Sequence, residues 1–413
     1  MWEFVDYQKE IGNKIVEILQ ELGWAYLVAE ERTRKSGMAL WACERIAYKN
    51  YLIICPSKAI PGWKDHLKNL PLTKNYDIVS MDSLHTVDGD KYDMVILDEA
   101  HNFGSTARTK KKGAKRATMS ERIKLGRQVM RNKPIIFISA TPSAQGYYML
   151  YNQINMCTWS PWRKYTTFYK WFEHYGIPEI VYTKQGPRTI RTKTKDDLVL
   201  ADVERGFIKY TRAQLGFTQE PTDKLHYLEP PEVFKQMYNT LQRNKVLEID
   251  NHVILADSDM SLRTKLHQLE GATIKYIPES ETYHVSLLLK SIAFKAQWIL
   301  DTFGDSDKLV IMHEYQAEAE LLREFFPKAM ILQGSAYAEG VDLSHMDTLV
   351  VYSMSFRTVK YIQRRARQCG LYREDPIVVH YPLVKGAISD QVYKTVAENR
   401  ENYNSKYYEE IYL

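Results

Sequence analysis

An α/β architecture built on parallel sheets is the expectation for this chain of 413 residues. Short β-rich runs recur along its first third: "AYLV" (25–28), "YLIIC" (51–55), "YDIVS" (76–80), "MVIL" (94–97) and "IIFI" (135–138). Such near-continuous apolar strands suit a sheet covered on both faces. Helical periodicity lies between several of them. Ile11, Ile15, Ile18, Leu19 and Leu22 form one apolar face, and Gly23 is placed to end that helix. A second series predicts another sheet of the same kind: "KLVIM" (308–312), "AMIL" (329–332), "TLVVYS" (348–353) and "IVVHY" (377–381).

The length allows two or three domains, and 45% hydrophobic with 26% charged residues is ordinary globular composition. No run of about 18 apolar residues predicts a membrane span. The start, "MWEFVDYQKE", lacks a basic segment followed by an apolar one, so a cytoplasmic protein without a secretion signal is expected. Cys43, Cys55, Cys157 and Cys369 lie far apart, which reads as free thiols in a reducing compartment and not as a zinc site. A net charge of +5 is mild. One stretch is sharper: Arg108, Lys110, Lys111, Lys112, Lys115 and Arg116 fall in a segment, 102–120, that contains no acid. That is either a solvated loop or a contact to a phosphate backbone.

In parallel α/β sheets ligands bind beyond the carboxyl ends of the strands, so the residues that follow each strand matter most. After "AYLV" comes "AEERTRKS", after "YLIIC" comes "PSK", after "MVIL" comes "DEAH" (98–101), and after "IIFI" comes "SATP" (139–142). The first has the layout of a phosphate loop, with Lys35-Ser36 where a strand hands over to a helix. The pattern G-x-x-x-x-G-K-[ST] would place glycine where Ala29 and Arg34 stand. An isolated acidic pair after a strand means little. Asp98-Glu99 downstream of a Lys-Ser pair and upstream of Ser139 means more. On these motifs the chain resembles superfamily 2 helicases and translocases, closest to their Swi/Snf-like and phage DEAH-box members. The turn "YAEGVDLS" (337–344) and the helix "YIQRRARQ" (361–368) resemble the fifth and sixth motifs of that family, and "FVDYQKE" resembles its Q-motif.

The resemblance implies two RecA-like parallel-sheet domains, 1–155 and 286–413, with an ATP site at their interface and a partly helical linker or insertion over 156–285. The second domain looks trimmed, because only Pro327 and Lys328 separate one helix from the next apolar run. ATP and Mg²⁺ are the implied substrate and ion. Lys35 would meet the β- and γ-phosphates, Ser36 and Asp98 the metal, and Glu99 would act as the base. Arg34 would add a donor to the cradle, and Gln8 would read adenine. Gly340 and Asp342 match the fifth motif, and Gln363 and Arg367 the sixth. Gly370 stands where that motif carries a further arginine, which leaves Arg364, Arg365 or Arg373 as substitutes for Arg367. His101, Ser139 and Thr141 resemble the residues that relay nucleotide state to the track.

The implied track is DNA, single-stranded or branched, in preference to RNA. Ser57, Lys58 and the basic run from Arg108 to Arg116 are expected to grip it. Replication or recombination proteins of a bacterial or phage-infected cell are the implied partners. The alternative is a nucleic-acid-binding module that keeps the fold without turnover, which Arg34 and Gly370 favour. The aromatic stretch 160–179 reads as a small local core in preference to a base-stacking surface.

Overall fold

The computed structural model describes residues 2–104, 108–109, 118–119, 121–143, 146–183, 186–278, 284–334, 343–356, 361, 364–371 and 373–398. The chain divides into two compact units, 1–217 and 218–413. Among the described residues no helix is long and apolar enough to cross a membrane. All four cysteines are buried free thiols.

The first unit opens with α1 (Asp6–Leu22), whose buried face carries Ile11, Ile15 and Leu19. Gly23 ends it in the left-handed conformation (φ 72°) that glycine adopts without steric cost. There follow β1 (Trp24–Ala29), α2 (Lys35–Arg45), β2 (Asn50–Cys55), α3 (Ile60–Asn69), β3 (Asn75–Ser80) and β4 (Met94–Leu97). Next come a short pair, β5 (Arg108–Thr109) and β6 (Thr118–Met119), then α4 (Glu121–Val129) and β7 (Ile135–Ser139). The unit continues with α5 (Leu150–Ile154), α6 (Phe168–Tyr175), β8 (Gly176–Thr183), β9 (Gly186–Thr194), α7 (Asp196–Val203) and β10 (Phe207–Tyr210). Six strands form one parallel sheet in the order β10-β1-β7-β4-β2-β3. The inner strands are buried along nearly their whole length, whereas edge strand β3 alternates. β8 and β9 pair only with each other, as an antiparallel hairpin.

The second unit runs β11 (Thr222–Tyr227), α8 (Glu232–Asn244), β12 (Val246–Ile249), β13 (His252–Leu255), α9 (Asp259–Glu270), β14 (Thr273–Tyr276) and β15 (Val285–Leu288). It continues with α10 (Phe294–Phe303), β16 (Leu309–His313), α11 (Gln316–Phe325), β17 (Met330–Gln333), β18 (Thr348–Val351), β19 (Val378–Leu383) and α12 (Ile388–Tyr393). Five strands make its parallel sheet, ordered β11-β19-β18-β16-β17. Each strand expected from the sequence is present within a residue or two. Both units have the α/β parallel-sheet architecture that the sequence led us to expect.

The middle of the chain differs from expectation. Residues 156–285 were expected as one insertion, but the division falls within them, at 217/218. Their first part adds β10 to the first sheet, and their last part adds β11 to the second. The reason is apolar surface. Trp162, Trp171, Phe172 and Tyr175 pack in the same core as Trp24, Tyr26 and Phe137, while Phe234, Leu241, Leu266 and Ile274 share a core with Val310 and Val350. Each half thus buries its side chains on a sheet that already exists. Trp162, Phe168, Trp171, Phe172 and Tyr175 of the stretch 160–179 are core residues, in the core of the sheet instead of a small local one, while Tyr169 is 40% exposed.

Candidate active site

At the end of β1 the chain turns through Glu30–Arg34 and enters α2 with Lys35 and Ser36 as its first two residues. The turn takes its shape from two left-handed residues, Arg32 (φ 68°) and Arg34 (φ 58°). Neither is glycine, so each carries a Cβ–backbone strain of about 1–2 kcal/mol. Thr33, buried between them, donates from its hydroxyl to Glu30 O at 2.7 Å. Gln8 holds the far side. It is 5% exposed, accepts at Oε1 from Val5 N (3.1 Å) and donates from Nε2 to Arg34 O (3.3 Å). Gly37 permits that approach, since a Cβ there would meet Gln8 Nε2 at 2.2 Å. The Lys35 ammonium donates to Ala29 O (2.8 Å) and Glu30 O (2.9 Å), capping the end of β1. The N–H groups that open α2 add partial positive charge to the same place.

One strand separates β1 from β4, so their ends stand roughly 10 Å apart. Asp98 and Glu99 follow β4 directly. Glu99 adopts φ 47°, a strained turn that brings its N–H back to Asp98 Oδ1 at 2.9 Å. The other Asp98 oxygen accepts from Trp63 Nε1 at 2.9 Å. Burial first, and then the negative charge of Glu99, push the Asp98 carboxyl up to about 7, against the pull of the Trp63 N–H and the Lys35 ammonium. Glu31 is likewise raised, chiefly by burial, with Lys35 opposing. Lys35 therefore lies within electrostatic reach of both acids.

Ser139 ends β7, between them. His101 Nδ1 sits 3.1 Å from Glu99 Oε2 and 3.0 Å from Ser139 Oγ, and Thr141 N donates to that same hydroxyl at 3.1 Å. Beneath this chain Tyr26 donates to Gln153, whose Nε2 donates to Pro142 O at 2.8 Å. A close His101–Glu99 contact and the hydrogen bonds at Ser139 thus connect the acid pair to the "SATP" turn.

The structure brings Gln8, Arg34, Lys35, Ser36, Asp98, Glu99, His101, Ser139 and Thr141 to the carboxyl edge of one sheet. Ser57 and Lys58 open the exposed turn after β2 at the same edge. Arg108 lies in β5, while Lys110, Lys111, Lys112, Lys115, Arg116, Gly340, Asp342 and Gln363 fall outside the described residues.

Arg367, in the second unit, is 7% exposed. Of its proposed substitutes, Arg364 pairs with the Glu314 carboxylate and donates to Ser353 O at 3.1 Å. Arg365 engages Asp223 at 3.1 Å, and Arg373 donates to Ser344 O at 2.8 Å. These three side chains tie their own unit together. Close by, the fully buried Glu318 accepts from Ser353 Oγ, Tyr315 N (2.9 Å) and Glu314 N (3.1 Å), and burial pushes it up to about 7.

Two site residues have no signal in the sequence. Trp63 is an unremarked aromatic in α3. Arg212, delivered by β10, is 4% exposed; its backbone N–H donates to Glu30 Oε2 at 2.6 Å and Nη1 donates to Glu31 O at 3.3 Å.

Among the described residues no group of three or more His, Cys, Asp or Glu side chains is placed to hold a metal. A single carboxylate and a hydroxyl fit Mg²⁺, which keeps most of its waters and takes other ligands from substrate phosphates. No family model matches the chain, and no curated protein matches it. Among solved structures, the chain is similar to the SWI2/SNF2 ATPase core domain of Sulfolobus solfataricus, at 12% identity over 95% of this chain and 88% of that one, with a TM-score of 0.39.

Proposed function

We propose that this protein is a superfamily 2-type ATPase that couples ATP hydrolysis to movement along, or remodelling of, DNA. One observation carries the reading. A lysine at a helix N-terminus and a half-buried Asp-Glu pair stand at the ends of strands two apart, with a hydrogen-bonded His–Ser pair between them. This collects, at one sheet edge, a cation for phosphate, an acid for a divalent ion and an acid for water.

In this mechanism the Lys35 ammonium leaves the Ala29 and Glu30 carbonyls and, with the first N–H groups of α2, binds the β- and γ-phosphates. Gln8 lines the adenine side. Mg²⁺ would be held by Ser36 and Asp98, and supplies charge neutralisation at the phosphate oxygens. Glu99, oriented by His101, accepts a proton from water as the water oxygen bonds to the γ-phosphorus. The bond from that phosphorus to the β-phosphate oxygen breaks, and ADP leaves with the electron pair. Arg367 is the arginine assigned to the charge developing on the γ-phosphate. His101, Ser139 and Thr141 pass the change to the turns bearing Ser57 and Lys58, which with the 108–116 run grip DNA phosphates. Single-stranded or branched DNA is the assigned track.

The second reading, a binding module without turnover, is favoured by Arg32 and Arg34 at positive φ. Steady-state ATP hydrolysis with and without single-stranded DNA separates the two. DNA-stimulated turnover is expected, and absence of turnover under all conditions would establish the binding module.

A further inference from the structure

The β8–β9 hairpin belongs to none of the machinery above. Its base is fastened: Lys195 N donates to Tyr175 O at 2.7 Å, Thr194 Oγ1 donates to Asp196 at 2.6 Å, and the Arg191 guanidinium lies 5.1 Å from the centre of the Tyr169 ring. Its outer part has no core to cover it. Ile180 is 63% exposed and Tyr182 is 82% exposed. Register puts them on one face, because Ile180 opposes Thr189 and Tyr182 opposes Pro187, and directly opposed residues of an antiparallel pair share a face.

Two further observations say what that face can take. Over 176–194 the sequence has four cations (Lys184, Arg188, Arg191, Lys193) and one acid, Glu179. Lys193 already engages that acid at 2.6 Å. The projection is therefore net basic and suits a polyanion. Each strand also carries a proline, Pro178 in β8 and Pro187 in β9, and proline removes the N–H donor that an added strand would need. Extension of either edge by a peptide or a second copy is thereby disfavoured. What remains is side-chain recognition by an exposed phenol on a net basic hairpin, whose exposed Arg188 opposes Val181 and so stands on the other face.

We propose that Tyr182 and the hairpin face around it form a stacking surface for an unpaired base of single-stranded DNA. An aromatic ring can stack on any base whose face is free, without sequence preference, and the hairpin's net positive charge attracts the phosphate backbone. An intact duplex offers no such face except at its ends, so the surface discriminates strand state and not sequence. This rests on the DNA-binding reading above.

The test uses the full chain, a single-stranded oligonucleotide with one 2-aminopurine, and a closed-end hairpin duplex of the same length. Wild type is expected to quench the 2-aminopurine on binding. Tyr182→Ala should abolish the quench and weaken single-strand binding about tenfold while leaving duplex binding unchanged. Tyr182→Phe, which keeps the ring, should behave as wild type. Equal single-strand affinity and quench in Tyr182→Ala would overturn the proposal, and so would an equal loss on strand and duplex. Tighter binding of single-stranded RNA than DNA, or conversion of a dimer to a monomer by Tyr182→Ala in sedimentation, would give the face to another occupant. If wild type binds no DNA at all, the DNA reading of the protein falls along with this surface. Binding by wild type with no effect of Tyr182→Ala removes the surface alone.

Discussion

At the carboxyl edge of the first sheet, Lys35, Asp98 and Glu99 remain partly accessible, and the charge of Glu99 raises the cost of ionising Asp98. At the corresponding edge of the second sheet, the same kinds of group close on one another. Arg364 is 2% exposed and spent on Glu314 and Ser353, and Glu318 is surrounded by donors. One edge keeps charge in reserve and the other has compensated it internally. Reserved charge marks a place for a ligand, whereas compensated buried charge fixes the geometry of its own surroundings.

The sharpest way to break this contrast is at Glu99. Glu99→Gln keeps size and hydrogen bonding but cannot take a proton. ATP turnover should fall by about 10²–10⁴-fold with nucleotide binding retained, measured by steady-state hydrolysis and nucleotide titration. Unchanged turnover would mean that the first edge holds no active base.

Next is Arg364, where the predicted loss is of stability. Arg364→Ala strands Glu314 and opens space against Gly334, whose Cβ position the guanidinium occupies. A destabilisation of about 3–5 kcal/mol is expected in urea unfolding. A loss below about 1 kcal/mol would show that the second edge is not scaffold.

Glu318→Gln sharpens the same point through pH. Folding raises the Glu318 carboxyl to about 7. Its favourable contribution is therefore full below the unfolded value near 4.5 and is lost as pH rises through 7. Between pH 5 and pH 8 the variant should gain on wild type by about 2–3 kcal/mol, read as the difference between two unfolding curves. A pH-independent difference would show that this carboxyl titrates normally.

The smallest effect concerns Arg34. Both Arg34→Ala and Arg34→Gly remove the guanidinium, so both should raise the KM for ATP and leave kcat nearly unchanged. Only glycine relieves the positive φ, so it should be the more stable of the two by about 1 kcal/mol. A large rise in kcat with glycine would instead make the arginine a block.

Much of the first edge was legible because a strand end is a local event. "MVIL" followed by Asp98-Glu99, or "AYLV" followed by a Lys-Ser pair, puts strand and site within a dozen positions. Gln8 was marked only by the resemblance of "FVDYQKE" to the Q-motif. Trp63 and Arg212 were not, because their partners lie 35 and 182 positions away and nothing local marks them. The left-handed state of Arg32 was hidden too, since arginine does not advertise positive φ as glycine does. The same holds for the second edge, where Glu314 meets Arg364 across 50 positions. In the middle third, apolar spacing says that a core exists but not which sheet supplies it.

The pairing of β1 with β10 also has a bearing on the order in which the molecule is made. β1 is the first strand of its sheet to be synthesised and β10 the last, and the contact from Arg212 to Glu30 spans 182 positions. Contacts so distant along the chain form late. Until residue 212 has emerged, a growing chain presents β1 as an open edge, ready to pair with a neighbour, and leaves the turn at Glu30 without its anchor. A fragment ended at residue 155 should share both defects permanently. The loop encoded nearest the start of the chain is, on this account, among the last parts of the first unit to take its final shape.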